Sequence, residues 1–178
     1  MKFTYDEIKN QFVSAKEIVE KEFSSADNNK FLKKPGIKRW SASECIEHLN
    51  NACKMYLPEI EKALLKSEPT NENIVKISWL QKKMMDFLEP PYRIKMPTGG
   101  EFIPQSGLEK DEVIDKFINY QNDFLLMIDK YSDKDFTSHK FSSPAANIFK
   151  LTPGYAFLFN AAHQRRHIWQ AAQTLKLF

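Results

Sequence analysis

The sequence predicts an all-α protein, a four-helix bundle with one additional shorter helix, and three observations lead there. Apolar residues recur every three or four positions through several long segments, the period of a helix with one buried face. Helix-start signals head two of these segments, S-A-S-E at 41–44 and T-P at 152–153. No stretch shows a convincing strand-like alternation, and no internal repeat or low-complexity tract interrupts the pattern. The 178 residues are read as one domain, 1–178, long enough to bury a full core.

Ile8, Phe12, Ala15 and Val19 form the stripe of a first helix over residues 4–24, which ends in the polar SSADNNK. The second starts at Ser41, whose hydroxyl can accept from the third helical amide while Glu44 reaches back, a capping box. Its apolar stripe is Cys45, Leu49, Ala52, Tyr56, Ile60 and Ala63. A third helix is expected over 71–88, with Ile74, Ile77, Met84 and Leu88 inward, and the two prolines of EPPY stop it. Residues 89–107 hold four prolines and three glycines without a period, and loops of that length usually serve function or remain disordered. Val113, Phe117, Tyr120, Phe124, Met127 and Tyr131 mark the fourth helix. The last runs from Thr152 as N-cap and Pro153 at the first helical position to about Leu175. Its opening half, GYAFLFNAA, is apolar all round and is expected at the centre of the molecule.

A hydrophobic share of 42% and a charged share of 28% are ordinary for a globular chain. A net charge of +3 is far from the dense positive field that would favour nucleic acid as a partner. The opening MKFTYDEIKN carries charges where a secretory signal needs apolar residues, and no run is long enough to span a membrane. The expected location is the cytoplasm. Cys45 and Cys53, eight apart on one helix, are read as reduced core residues.

HQRRHIWQ at 163–170 carries the chemistry. His163 and His167 stand at i and i+4, so both imidazoles leave one helix face with Cβ atoms about 5 to 6 Å apart. That spacing lets two nitrogens converge on one ion at roughly 2.0 to 2.1 Å each, and a third ligand must come from elsewhere. The candidates are His48, at the flank of the second helix's stripe, and His139, in the polar loop YSDKDFTSHKFSSP. A glutamine at 164 replaces the carboxylate base of H-E-x-x-H, which disfavours a zincin protease.

The segment WSASECIEHLN (40–50) together with HQRRHIWQ resembles the DinB/YfiT-like superfamily, in which a tryptophan-serine helix start leads to a first histidine and a C-terminal helix reads H-x-x-R-H-x-x-Q. FIPQSGLEKDEVIDKF (102–117) is also similar to that family's middle region, so the likeness covers most of residues 40–175. The resemblance implies a four-helix bundle, often dimeric, with His48, His163 and His167 binding a divalent metal such as zinc or nickel. It further implies a transferase or isomerase using a low-molecular-weight thiol such as bacillithiol, mycothiol or glutathione, or else a hydrolase.

Three imidazoles on a tetrahedral ion leave one position open, where a water or a thiol can be activated as a nucleophile toward a small-molecule substrate. Glu44 and Gln170 are the candidates to hydrogen-bond the far nitrogens of the ligating histidines, although the capping box already occupies Glu44. Arg166 matches the family's arginine before the last histidine and is assigned a structural or orienting role. Arg165 and Arg166 could draw an anion toward the mouth, but arginines on such a helix more often pair with neighbouring carboxylates. Trp169, Phe157 to Phe159 and the Met84-Met85 pair are expected in the core. KFLKKPGIKRW (30–40) is read as a solvated linker. The alternative function is a non-catalytic dimeric interaction module whose metal is incidental or structural.

Overall fold

The computed structural model describes residues 1–91 and 98–178. It is mostly helical, with two small sheets. Strand β1 (Lys2–Thr4) leads into α1 (Tyr5–Phe23), and α2 (Asn28–Leu32) and α3 (Ala42–Leu64) follow. Then come β2 (Ile74–Lys76), α4 (Trp79–Leu88), a single 3-10 turn at Gly100–Phe102 and α5 (Lys110–Lys130). A hairpin of β3 (Phe141–Ser143) and β4 (Ala146–Leu151) precedes α6 (Pro153–Leu175).

The four long helices form where apolar periodicity and a start signal or a breaker coincide. Thr4 and Glu7 make a capping box on α1, whose buried face of Tyr5, Ile8, Phe12, Ala15, Val19 and Phe23 contains the expected stripe. The Ser41 box is present on α3: the Glu44 amide donates to Ser41 Oγ at 3.1 Å and the Ser41 amide donates to Glu44 Oε2 at 2.9 Å. On α6, Thr152 is the cap and Pro153 takes the first turn. Helix α3 packs against α6 and α5, α1 packs against α5 and α6, and α4 lies on α6.

Three expectations are corrected. Only Trp79–Leu88 of the stretch 71–88 is helical, because Ser78 and Gln81 form the capping box that begins α4. Ile74–Lys76 instead pairs antiparallel with Lys2–Thr4, in the register Lys2 with Lys76 and Thr4 with Ile74. The second strand pair likewise overturns the reading of no strands. Three-residue strands such as β1 to β3 complete barely one alternation, so periodicity cannot reveal them. Within SSADNNK, Asp27 caps the short α2, which buries Phe31 completely.

The larger core cluster is aromatic. Phe12 stacks on Phe124 at 4.4 Å between centroids, and Phe157 meets the edges of both at about 6 Å. A second cluster joins Phe23, Phe31, Ile46, Leu49, Phe117 and Ile168. Gly154, at the start of α6, passes so close to β2 that a Cβ there would stand 2.6 and 2.7 Å from the methyls of Val75. Met85 is buried as expected, but Met84 is 44% exposed and belongs to the outer face of α4.

Candidate metal centre

Helix α3 places its first half in the interior: from Ala42 to Asn50 every residue is buried. The cap at Ser41 fixes where the helix starts, and packing against α5 and α6 turns His48 toward α6. There it meets His163 and His167, which α6 presents one turn apart. His48 Nε2 lies 3.1 Å from His163 Nε2. The ring centroids are 5.0 Å apart for His48 and His163, 4.5 Å for His48 and His167, and 4.6 Å for His163 and His167. One nitrogen from each ring falls within 4.8 Å of the other two, which makes the trio able to hold one metal ion. His139 stands apart, in the segment between α5 and β3.

The donor set fits a metal. Two nitrogens each 2.0 to 2.1 Å from one tetrahedral ion are about 3.3 Å apart, close to the separation of His48 and His163. The Nδ1 of His48 contacts the carbonyl oxygen of Phe102 at 2.7 Å. A carbonyl only accepts, so Nδ1 carries the proton and the lone pair of Nε2 points at the cluster. Burial lowers the His48 pKa, partly opposed by that carbonyl. Burial, then the charges of His48 and Arg166, push His163 down to about 3. His167 is lowered well below its ordinary value by burial and then by His163, His48 and Arg166. All three imidazoles are thus neutral at physiological pH, the form that ligates. Among the described residues the Nδ1 of His167 is buried without a hydrogen-bond partner; the Gln170 side chain beside this ring favours its charged form.

Aromatic rings enclose the trio. Trp40 lies 4.9 Å from His48 and 5.9 Å from His167, and Phe159 lies parallel to His163 at 6.4 Å. Above them opens a cavity of about 830 Å³. Phe159 and Trp169, expected in the core, are half-buried and line this cavity, whereas Phe157 is fully buried as expected. The basic stretch before α3 is not merely a solvated linker, because Lys38, Arg39 and Trp40 also line the cavity. Of the proline-rich loop 89–107, Thr98, Gly99 and Phe102 face the cavity, and residues 92–97 lie outside the described residues.

The remaining site candidates separate. The partner of His48 Nδ1 is the Phe102 carbonyl and not Glu44, whose carboxylate binds the Ser41 amide, the Ser106 hydroxyl at 2.5 Å and Lys34 at 2.7 Å. Arg165 turns away from the cavity to the Glu89 carboxylate at the end of α4 and to Gln11. Arg166, only 4% exposed, lines the cavity beside the histidines. Cys45 and Cys53 are free and buried, and burial pushes both thiols up, Cys53 to about 12, so neither is a thiolate. Sequence reasoning missed Phe102, because a backbone carbonyl leaves no trace in residue type. It placed Trp40 in a motif and in the basic stretch, but not beside the histidines.

Fold and site together define a mostly helical protein with a buried trihistidine group at the floor of a cavity, a group able to hold a metal. The family is settled by comparison: the family model of the DinB superfamily matches residues 11–171, so the chain belongs to that superfamily, as the motifs at 40–50 and 163–170 suggested. No curated protein and no solved structure gives a significant match. Among the described residues no helix is long and apolar enough to cross a membrane.

Proposed function

We propose that the chain is a metal-dependent enzyme of the four-helix-bundle type, in which His48, His163 and His167 hold a divalent metal, zinc or nickel. The bound ion would activate a thiol or water for attack on a small molecule, as a thiol S-transferase or a hydrolase. One observation carries the reading: three neutral imidazoles from two helices converge at the floor of a cavity, with His48 and His163 nitrogens 3.1 Å apart. The chemistry such an ion supplies is a Lewis-acidic open position that lowers the pKa of water or of a thiol toward neutrality. The residues do the rest. The Phe102 carbonyl holds His48 in the ligating tautomer, Gln170 orients His167, and Trp40 and Phe159 keep bulk water from the trio. Arg166 sets a positive charge beside the reacting position. Glu44 acts on His48 indirectly, by fixing the start of α3. A cytoplasmic homodimer without nucleic-acid or membrane partners, and with a thiol cosubstrate in the transferase case, completes the proposal.

The test is elemental analysis of protein purified without a chelating tag, beside the triple variant His48→Ala, His163→Ala, His167→Ala. Near-stoichiometric zinc or nickel that the variant lacks is the expected outcome; no metal even after reconstitution would overturn it. The second reading, a non-catalytic dimeric interaction module, is favoured by the outer face of α4, where Trp79 is 70% and Leu80 64% exposed. A sedimentation experiment showing a dimer that Leu80→Glu dissociates, together with absence of metal, would move that reading to the front.

A further inference from the structure

The cavity above the histidines has one sign of charge. Its described lining includes Lys38, Arg39 and Arg166 and contains no aspartate or glutamate. Glu44 and Glu89 are not part of that lining, and their carboxylates pair with Lys34 and Arg165. One wall is α6, where Phe159, His163, Arg166, Gln170 and Gln173 follow one another at three- and four-residue intervals and so share a face. The rise from His167 to Gln173 is about 9 Å, which spans the reach of a small organic molecule. Facing it are the exposed Lys38 and Arg39 at the mouth, with Trp40 deeper in. Arg166 lines the same cavity as His163 and His167 and is 4% exposed, and its charge lowers the pKa of both imidazoles. The lining thus offers cations, amides and hydroxyls as donors, and the flat faces of Trp40, Trp169 and Phe159 for an apolar body. The last turn of α6 opposes any anion, and a doubly charged phosphate more than a singly charged carboxylate, so a carboxylate suits the cavity better.

We propose that this cavity takes a small organic carboxylate with an aromatic or apolar body, its acid group held by Arg166, with Lys38 and Arg39 at the mouth, and its body between Trp40 and Trp169. This names the substrate class of the site described above and rests on that cavity being where the reaction occurs. Arg166 and Trp40 are binding residues in it, and Lys38 and Arg39 act as an electrostatic guide that salt weakens.

The experiment is a calorimetric titration with 3-phenylpropionate and with its uncharged counterpart 3-phenylpropanamide, followed in parallel by tryptophan fluorescence, since Trp40 and Trp169 border the cavity. It is run on the protein as purified and again after chelation, because a carboxylate could also ligate the ion directly. The expected result is a carboxylate preference of about tenfold, present with and without metal. It should be reduced in Lys38→Gln/Arg39→Gln, whose exposed positions leave the fold intact, and lost in Arg166→Gln. Equal affinities, no carboxylate binding at millimolar concentration, a preference that vanishes on chelation, or one that Lys38→Gln/Arg39→Gln leaves untouched would each overturn it. A protein that takes up no metal yet keeps the preference would sink the metalloenzyme reading alone; one that holds metal without the preference would sink only this inference.

Discussion

From Pro153 to Leu158, α6 is enclosed by side chains: Phe157 is fully buried, with Phe136 at 5.4 Å and Phe12 and Phe124 at about 6 Å, and Gly154 touches β2. From His163 to Gln173 the same helix borders an open cavity, and the polar groups it buries include Gln164, Arg166 and His167. A helix stabilised by packing needs no buried imidazole with an unpartnered nitrogen, and among the described residues the Nδ1 of His167 has no partner. Burying polar atoms without full hydrogen bonding costs free energy. The second half therefore gives up stability that the first half supplies.

Substitutions in the two halves should separate stability from function. The largest loss is expected for Phe157→Ala, about 3 to 5 kcal/mol from lost burial and the cavity left behind, read as a shift in the urea midpoint. Gly154→Ala comes next at about 1 to 3 kcal/mol, because Val75 in a paired strand has little room to withdraw; a value near zero would show that β1 and β2 adjust freely. Both should leave metal stoichiometry in the folded fraction unchanged.

At the cap that orients His48, Glu44→Gln should cost about 1 to 2 kcal/mol at neutral pH. Burial pushes the Glu44 carboxyl up, but Lys34, Ser106 and the Ser41 backbone together outweigh it, so the folded pKa lies below the ordinary 4.5. As pH falls the unfolded chain takes up the proton first. The contribution is therefore complete above about 4.5 and lost as pH drops through the lower folded value. The gap between wild type and variant should close in acid, and a pH-independent gap would mean that the carboxylate charge contributes nothing. The smallest effect on stability belongs to His163→Ala, within about 1 kcal/mol, combined with loss of stoichiometric metal; a variant that keeps full metal breaks the site assignment.

Much of the helical framework is legible in the order of residues alone. The stripes of α1, α3, α5 and α6 follow from apolar residues at helical spacing, and Ser41-Glu44 and Thr152-Pro153 mark the starts of α3 and α6 because capping is chemistry between neighbours in the chain. The short strands are not legible in this way, since Ile74–Lys76 is extended by virtue of its pairing with Lys2–Thr4, a contact between distant segments. The two histidines of α6 stand out through their i, i+4 geometry, whereas His48 is preferred to His139 by its place at the flank of the α3 stripe, and the family resemblance then joins it to the pair.

What the sequence by itself determined is local: which segments are helical, where they begin, that His163 and His167 share a face, and that the opening of α6 is buried. Tertiary structure alone decided how close His48 comes to that pair, that the Phe102 carbonyl selects its tautomer, that Arg165 turns to Glu89 while Arg166 faces the cavity, and that Trp40 and Lys38 border the same space. The physical reason is range. Helix periodicity and capping act over a few residues, whereas ligand convergence, desolvation and the charge of a cavity depend on groups that only packing brings together.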